Sequence, residues 1–293
     1  MKYCYMPGCS LHSTSREYDL SGRAVCRKLG IDLVELDDWN CCGADAVSPK
    51  NRMLMYALNA RNLAIAEKMG LDIVTFCASC FYNLKKANFD LRENPELRDK
   101  TNKALEKIGM TYKGKVEVKH LLEVLVNDFG LEKIKKRLAI PLKGLKVITY
   151  YGCLLTKHPE TRIDDPENPE IMDVILEEIG AEVLPFSNYK TDCCGGPALP
   201  FRDDITLKLS ADILKAAKKV GPNLIVTACP LCQISLETRQ KAVEREYGFQ
   251  TNIPVVYFTQ LVGLALGIPA DELGMKMHLI SPIPIVTEIF SKK

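Results

Sequence analysis

Residues 71–80 read Leu-Asp-Ile-Val-Thr-Phe-Cys-Ala-Ser-Cys, and residues 223–232 read Asn-Leu-Ile-Val-Thr-Ala-Cys-Pro-Leu-Cys. In both, a short apolar, β-branched run of the kind that forms a buried strand ends directly in a C-x-x-C pair. Working outward, the same thiols recur in the same order. One set is Cys9, Cys41-Cys42-Gly43 and Cys77-Ala78-Ser79-Cys80; the other is Cys153, Cys193-Cys194-Gly195 and Cys229-Pro230-Leu231-Cys232. Thirty-four residues separate the vicinal pair from the C-x-x-C in each set, and the four matching positions (41/193, 42/194, 77/229, 80/232) are all offset by 152. Ten of the 12 cysteines therefore belong to one pattern used twice. Thiolates are ligands of soft metals and iron–sulfur clusters, so the chain reads as two duplicated metal-cluster sites.

Apolar runs alternate with amphipathic stretches throughout. Strands are expected at Lys2–Met6, Ile31–Leu36, Leu71–Phe76 and Val116–Val118, and again at Lys146–Tyr150, Glu182–Phe186, Leu224–Thr227 and Pro254–Tyr257. Helices are expected at about Ser13–Leu29, Pro49–Met69, Phe81–Phe89, Pro95–Ile108 and His120–Phe129, then Pro169–Ile179, Asp203–Val220, Leu231–Tyr247 and Thr259–Leu266. Pro49 and Pro95 suit the first turn of a helix, and Gly30, Gly70, Gly180 and Gly221 suit helix ends. Strand–helix alternation predicts an α/β fold of two repeated parallel-sheet βα domains, 1–135 and 136–293, related by a pseudo-two-fold axis. The join falls near the charged stretch Leu131–Lys143. The thiols lie past the expected strand ends, where open parallel sheets bind ligands, so each set converges at the C-terminal ends of its strands. Pro230 should open a helix whose first N–H groups point at an anionic cluster. The tail, Gly267–Lys293, with Pro269, Pro282 and Pro284, reads as an extended segment crossing the surface, where it covers a sheet edge or docks a partner.

With 47% hydrophobic and 26% charged residues, the composition is that of a soluble globular protein. A net charge of +2 supports neither nucleic-acid nor anionic-membrane binding. No run is long enough for a membrane span and the start lacks a secretory signal, so a cytoplasmic location is expected, where thiols serve metal or redox chemistry. Cys4 and Cys26 lie outside the pattern and read as small buried hydrophobes.

Five thiols per set exceed the four that structural zinc or a cubane cluster takes. Either one is a spare, or the cluster is of a shape that accepts more. The vicinal pair favours the second, because adjacent side chains diverge and suit different irons of a wide cluster better than one ion. Gly43 and Gly195-Gly196 let the backbone approach an inorganic core. Zinc at either site is the competing reading.

These residues are the C…CCG…CxxC motif of the cysteine-rich CCG domain family, and two copies over the whole chain resemble the B-type subunit of heterodisulfide reductase from methanogens. The same domain occurs in iron–sulfur subunits of lactate, glycolate and glycerol-3-phosphate dehydrogenases and of certain succinate:quinone reductases. The resemblance implies two noncubane [4Fe-4S] clusters, one on Cys9, Cys41, Cys42, Cys77 and Cys80, the other on Cys153, Cys193, Cys194, Cys229 and Cys232. It also implies reduction of the mixed disulfide of coenzyme M and coenzyme B. Electrons come from a ferredoxin-like C-type subunit with two [4Fe-4S] clusters, fed by a flavin-containing A-type subunit, in a complex with a hydrogenase or formate dehydrogenase. Two facing clusters, each delivering one electron to an S–S bond between them, resolve the mismatch between a two-electron reaction and one-electron carriers.

Such a substrate carries anionic groups. Arg16, Lys157, His158 and Arg202 lie near the thiols in sequence and are candidates to bind them, against the ordinary reading of solvated charges. His12 and His158 are candidate proton donors. His120 opens an expected helix with Gln260 in the matching place of the second repeat, where a structural hydrogen bond is the expected role. Trp39 either shields a cluster or packs its loop. The rival functions are an iron–sulfur electron-transfer subunit of a quinone-linked dehydrogenase, a reductase of a different disulfide, and a zinc-bound interaction module. The lack of a C-x₂-C-x₂-C-x₃-C-P segment favours the catalytic subunit with an external donor.

Overall fold

The computed structural model describes residues 1–44, 51–186 and 189–291, and among them the chain builds two four-stranded parallel sheets. The first half runs β1 (Lys2–Tyr5), α1 (Gly8–His12), α2 (Arg16–Leu29), β2 (Asp32–Glu35), α3 (Arg52–Met69), β3 (Ile73–Thr75), α4 (Ala78–Glu93), α5 (Pro95–Leu105), β4 (Val118–His120), α6 (Leu121–Glu123) with a π-helical continuation at Val124–Gly130, and α7 (Leu131–Lys135). The second runs β5 (Lys146–Tyr150), α8 (Ile171–Glu178), β6 (Glu182–Val183), α9 (Asp203–Val220), β7 (Leu224–Thr227), α10 (Pro230–Thr238), α11 (Gln240–Tyr247), β8 (Val255–Tyr257), α12 (Phe258–Ala265) and α13 (Ile283–Ser291). Strand orders are β2-β1-β3-β4 and β6-β5-β7-β8, so the duplication of thiols is a duplication of topology. The inner strands β3 and β7 are wholly buried, as helix-covered parallel strands must be, while the edge strands β2 and β6 are partly exposed.

Local chemistry sets the helix starts. Asn51 and Asn94 cap α3 and α5 by accepting from Leu54 N and Leu97 N, each at 3.0 Å, and Pro95 takes the first turn of α5. Pro49 lies outside the described residues. Pro230 opens α10 as expected.

Several boundaries move, and their physical reasons are informative. The helix expected over Ser13–Leu29 starts at Arg16, because the chain turns at residues 13–15 after a short α1, not expected from the sequence, that carries Cys9. The helix expected over Leu231–Tyr247 breaks between Thr238 and Gln240. The fourth strand is Val118–His120 rather than Val116–Val118, since its register pairs Ile73 with Val118 and Thr75 with His120. That shift corrects the match of His120 to Gln260. His120 ends β4 beside Thr75, and Tyr257 ends β8 beside Thr227, so Tyr257 is the counterpart of His120. The two capping boxes agree: Glu123 Oε2 accepts from His120 N, and Gln260 Oε1 from Tyr257 N.

The tail is also corrected. It is not an extended surface strand: it folds back through a 3₁₀ turn at Met275–Met277, buries Leu273, Met275 and His278, and ends in α13. His278 reaches Glu237 Oε1 at 3.2 Å and Gln260 Oε1 at 3.0 Å, and Gly274 packs so closely on α2 that a Cβ there would stand 2.7 Å from Glu17 Cβ.

The halves pack through reciprocal helices, α2 on α12 and α6 on α8, each pair joining the helix after the first strand of one half to the helix after the last strand of the other. Tyr18 stacks on Tyr257 at 3.9 Å, Ser21 and Thr259 hydroxyls meet at 2.7 Å, and Arg137 donates to the Leu29 carbonyl at 2.6 Å. One hydrophobic core runs through both sheets.

Candidate metal-cluster site

Each half gathers its five thiols beyond the C-terminal edge of its sheet. β1 ends at Tyr5 and β5 at Tyr150, shortly before Cys9 and Cys153; β3 ends at Thr75 and β7 at Thr227, two residues before Cys77 and Cys229, which stand at the N-terminal ends of α4 and α10. The vicinal pairs arrive on loops after the edge strands. In the second half that loop is longer than expected, because β6 stops at Val183.

In the first half Cys9 Sγ lies 3.7 Å from Cys41 Sγ, and Cys42 is in hydrogen-bond contact with both Cys41 and Cys80. In the second, Cys153 contacts Cys193, and Cys194 Sγ lies 3.6 Å from Cys232 Sγ. No disulfide joins any of the twelve cysteines. Such separations are close to the ~3.8 Å expected of two thiolates on one tetrahedral metal. Among the described residues, however, no three His, Cys, Asp or Glu side chains are arranged around one metal position. The thiols instead line a space: a cavity of about 190 Å³ is bounded by Cys9, Cys41, Cys42, Cys77, Cys80 and, from the opposite half, Leu231.

Supporting residues are duplicated with the thiols. Gly8 and Gly152, both left-handed, leave room for the last thiol of their half: a Cβ would stand 2.6 Å from Cys80 Sγ and 2.7 Å from Cys232 Sγ. Gly43 N and Gly195 N donate to Cys41 Sγ and Cys193 Sγ, each at 3.4 Å. Asn59 and Ser210 donate to the carbonyls of Cys42 and Cys194 at 3.0 and 3.2 Å. Asn83 Nδ2 approaches Cys42 Sγ at 3.8 Å, and at the matching place the Ser235 hydroxyl lies against Cys194. The repeated Gly-Cys dipeptides at 8–9 and 152–153 were a sequence signal for the first of these. Nothing local marked the Asn and Ser positions.

The thiols cannot all ionise side by side. Hydrogen bonds from Cys42 and Cys9, aided by Gly43 N–H, hold Cys41 down at about 2. A hydrogen bond from Cys153, with Gly195 N–H, brings Cys193 to about 6, and Cys232 does the same in direction for Cys194. Their donors Cys9 and Cys153 are pushed up, first by those bonds and then by burial. Packed thiols that can be anionic together only around a cationic core, N–H groups aimed at sulfur, and a wall of glycine where sulfur passes are the features that an iron–sulfur cluster needs. Cys4 and Cys26 are different. Each is a buried core residue whose thiol burial raises to about 12.

The other candidates scatter. Arg16 and Lys157 are exposed, and Arg202 is exposed with its guanidinium paired to Asp204 at 2.7 Å. His12 is exposed, 3.4 Å from Glu35 and edge-on to Trp39 at 5.1 Å, so Trp39 packs the loop beside the first site. His158 reaches across the seam, with its ring 4.3 Å from that of Tyr82 on α4, and partial burial lowers its pKa. None of these residues lines the 190 Å³ cavity. A contact that the sequence did not reveal is central. His120 is fully buried and bonds the Phe76 carbonyl at 2.8 Å, with the Ala228 carbonyl also within its hydrogen-bonding range; these two residues immediately precede Cys77 and Cys229.

Fold and site together define a duplicated, thiol-lined α/β protein, and residues 3–85 and 147–237 match the cysteine-rich domain (CCG) family. The chain belongs to that family, and within it to the two-repeat group that includes the B-type subunits of heterodisulfide reductases. It is 35% identical over 280 residues to the 8-methylmenaquinol:fumarate reductase membrane anchor subunit of Wolinella succinogenes, covering 95% of this chain and 97% of that one. It is 33% identical over 287 residues to the B-type subunit of the ferredoxin:CoB-CoM heterodisulfide reductase of Methanosarcina mazei (97% and 95%). It is 32% identical over 280 residues to a protein of Archaeoglobus profundus described as like the heterodisulfide reductase B-type subunit (94% and 93%). A hypothetical protein from Helicobacter pylori shares the fold with a TM-score of 0.76 at 16% identity, over 96% of this chain and 52% of that one. Among the described residues no helix is long and apolar enough to cross a membrane.

Proposed function

We propose that this chain is the disulfide-reducing subunit of a cytoplasmic iron–sulfur electron-transfer complex. Each repeat, 1–135 and 136–293, is one domain holding one noncubane [4Fe-4S] cluster on its five cysteines, and the substrate is the mixed disulfide of coenzyme M and coenzyme B. The observation that carries this reading is the shared seam: Leu231, inside the second C-x-x-C, lines the thiol cavity of the first half. Two clusters held there by these cysteines would supply one electron each. The balance is R–S–S–R′ + 2 e⁻ + 2 H⁺ → R–SH + R′–SH. Both electrons come from an external ferredoxin-like C-type subunit, served by a flavin-containing A-type subunit and a hydrogenase or formate dehydrogenase. The chain's own part is to fix the thiolates with glycine and amide N–H groups, to hold the two sites in a constant relation through α2–α12 and α6–α8, and to limit water at the buried thiols. His158, at the seam, is the better placed of the two candidate proton donors.

The Wolinella relative supports a second reading, an electron-transfer subunit of a quinone-linked oxidoreductase with the same clusters. Anaerobic metal analysis with a disulfide assay separates the possibilities. About eight irons per chain, with consumption of the mixed disulfide by dye-reduced protein, is expected. Iron without disulfide turnover supports the quinone-linked reading. About two zincs would sink both.

A further inference from the structure

We infer that Lys190 is a positioning residue of the second thiol site, and that it makes the two sites unequal: the second keeps its cluster under conditions in which the first gives its own up. This rests on the cluster assignment above. Lys190 lies three residues ahead of Cys193. Its side chain is only 6% exposed, and its ammonium bonds the carboxylate of Asp173 in the first turn of α8. It also donates to the Pro169 carbonyl at 3.0 Å. The Lys190 backbone carbonyl accepts from Tyr151 N at 2.8 Å and Gly152 N at 3.1 Å, and these two residues lead directly into Cys153. Tyr151 closes the junction, since its hydroxyl donates to Asp173 Oδ1 at 2.9 Å and accepts from Met172 N at 2.7 Å. One lysine thus ties the chain before Cys153, the chain before Cys193 and the start of α8 into a single buried joint. Cys153 and Cys193 are the two thiols of this half that meet across it.

The first half has other residues at these places. Pro7 stands where Tyr151 does, two residues before the first cysteine, and offers neither an N–H nor a phenol. Asp38 stands where Lys190 does, three residues before the vicinal pair. It adopts left-handed backbone at φ 49°, is largely exposed, and pairs with Arg61 of α3 at the surface. The next anchor along each loop is matched: the carbonyls of Asn40 and Asp192 accept from Asn62 at 2.8 Å and from Tyr150 at 2.5 Å. The difference therefore lies at Asp38 and Lys190. An exposed ion pair contributes little, because water and side-chain entropy compete with it. Breaking a buried pair strands the remaining charge away from water, so the buried joint resists opening.

The test uses the iron-loaded holoprotein, whose iron is counted and then drawn off anaerobically with excess bipyridyl. Wild-type iron should leave in two phases of similar size. Lys190→Met should speed the slow phase about tenfold or more and leave the fast one as it is. Its electron paramagnetic resonance spectrum should change in the component of one cluster and keep that of the other, a change that lower stability alone does not produce. Lys190→Met/Asp173→Leu removes both charges, which spares the fold a stranded carboxylate, and should release iron as Lys190→Met does. Arg61→Gln should alter the fast phase alone, by less than about fivefold. The inference falls if wild-type iron leaves in one phase, or if Lys190→Met speeds both phases together or neither. It falls equally if the double variant recovers the wild-type slow phase, because the lysine would then serve the fold and not the loop. Wild-type protein that takes up zinc, or no iron, would instead overturn the cluster assignment itself, and this inference with it.

Discussion

The two thiol sites are built on one backbone plan but supported by different side chains. Around Cys42 the supporting groups are amides, from Asn59 and Asn83; around Cys194 they are hydroxyls, from Ser210 and Ser235, with an added donor in Gly196 N–H at 3.4 Å. What does not differ is the glycine that clears the last thiol, the glycine N–H on the first vicinal thiol, and the strand order that brings three loops together. The lesson is that approach of backbone to sulfur is demanding and donor identity is not. A donor of either type can meet a sulfur, whereas only the absence of a Cβ leaves space for one.

The comparison can be broken most sharply through the thiols. Cys42→Ser and Cys194→Ser should each remove the cluster of its own half and leave the other, halving bound iron. Loss of all iron from either variant, read by anaerobic metal analysis and electron paramagnetic resonance, would show that the sites assemble as one unit. Next in size, Gly8→Ala and Gly152→Ala should each cost a few kcal/mol, from left-handed strain and from the clash with Cys80 or Cys232, and lower iron occupancy in one half only. Urea unfolding with metal analysis checks both, and unchanged occupancy would mean that the sulfur moves aside.

A smaller effect tests the unequal strand ends. His120, held by burial down at about 4, binds its proton in the unfolded chain first. Its contribution is therefore complete above the ordinary histidine value near 6.5 and is lost as pH falls from there toward 4. About 1 kcal/mol should disappear between roughly pH 7.5 and 5.5. His120→Gln should remove that part of the acid sensitivity, and Tyr257→Phe, at the counterpart position, should not. Urea midpoints at the two pH values decide it; equal pH dependence in all three proteins would refute the assignment. The smallest expected change is electronic. Exchanging Asn83→Ser and Ser235→Asn should shift the two cluster potentials by about 20–40 mV, the scale of a modest difference in hydrogen bonding to sulfur. Redox titration resolves this, and potentials that do not respond would limit both residues to packing.

Much of the fold was legible because its signals are local. Short apolar runs marked β5 and β7 to the residue, Asp203–Val220 was read whole as α9, and the offset of 152 announced the repeat. Where local pattern weakens, boundaries drifted. The edge strand β6 shrank to Glu182–Val183 because little pairs with it, and β4 slid by two residues because its register answers to β3 rather than to its own sequence. The grouping of the thiols was legible for the same reason as the strands. The anion-binding candidates were not, since proximity in sequence to a thiol says nothing of where a long side chain finds its counter-ion, as Arg202 with Asp204 shows.

The sequence by itself determined which ten thiols belong together, that they fall into two equal sets, and that parallel βα units carry them, because spacing and periodicity are properties of neighbouring residues. Only the tertiary structure decided that Leu231 enters the other half's cavity, that Tyr257 rather than Gln260 answers His120, and that the tail turns inward to bury His278. Those outcomes come from packing between segments far apart along the chain, where shape and hydrogen-bond satisfaction across an interface select the partner and no local pattern records the choice.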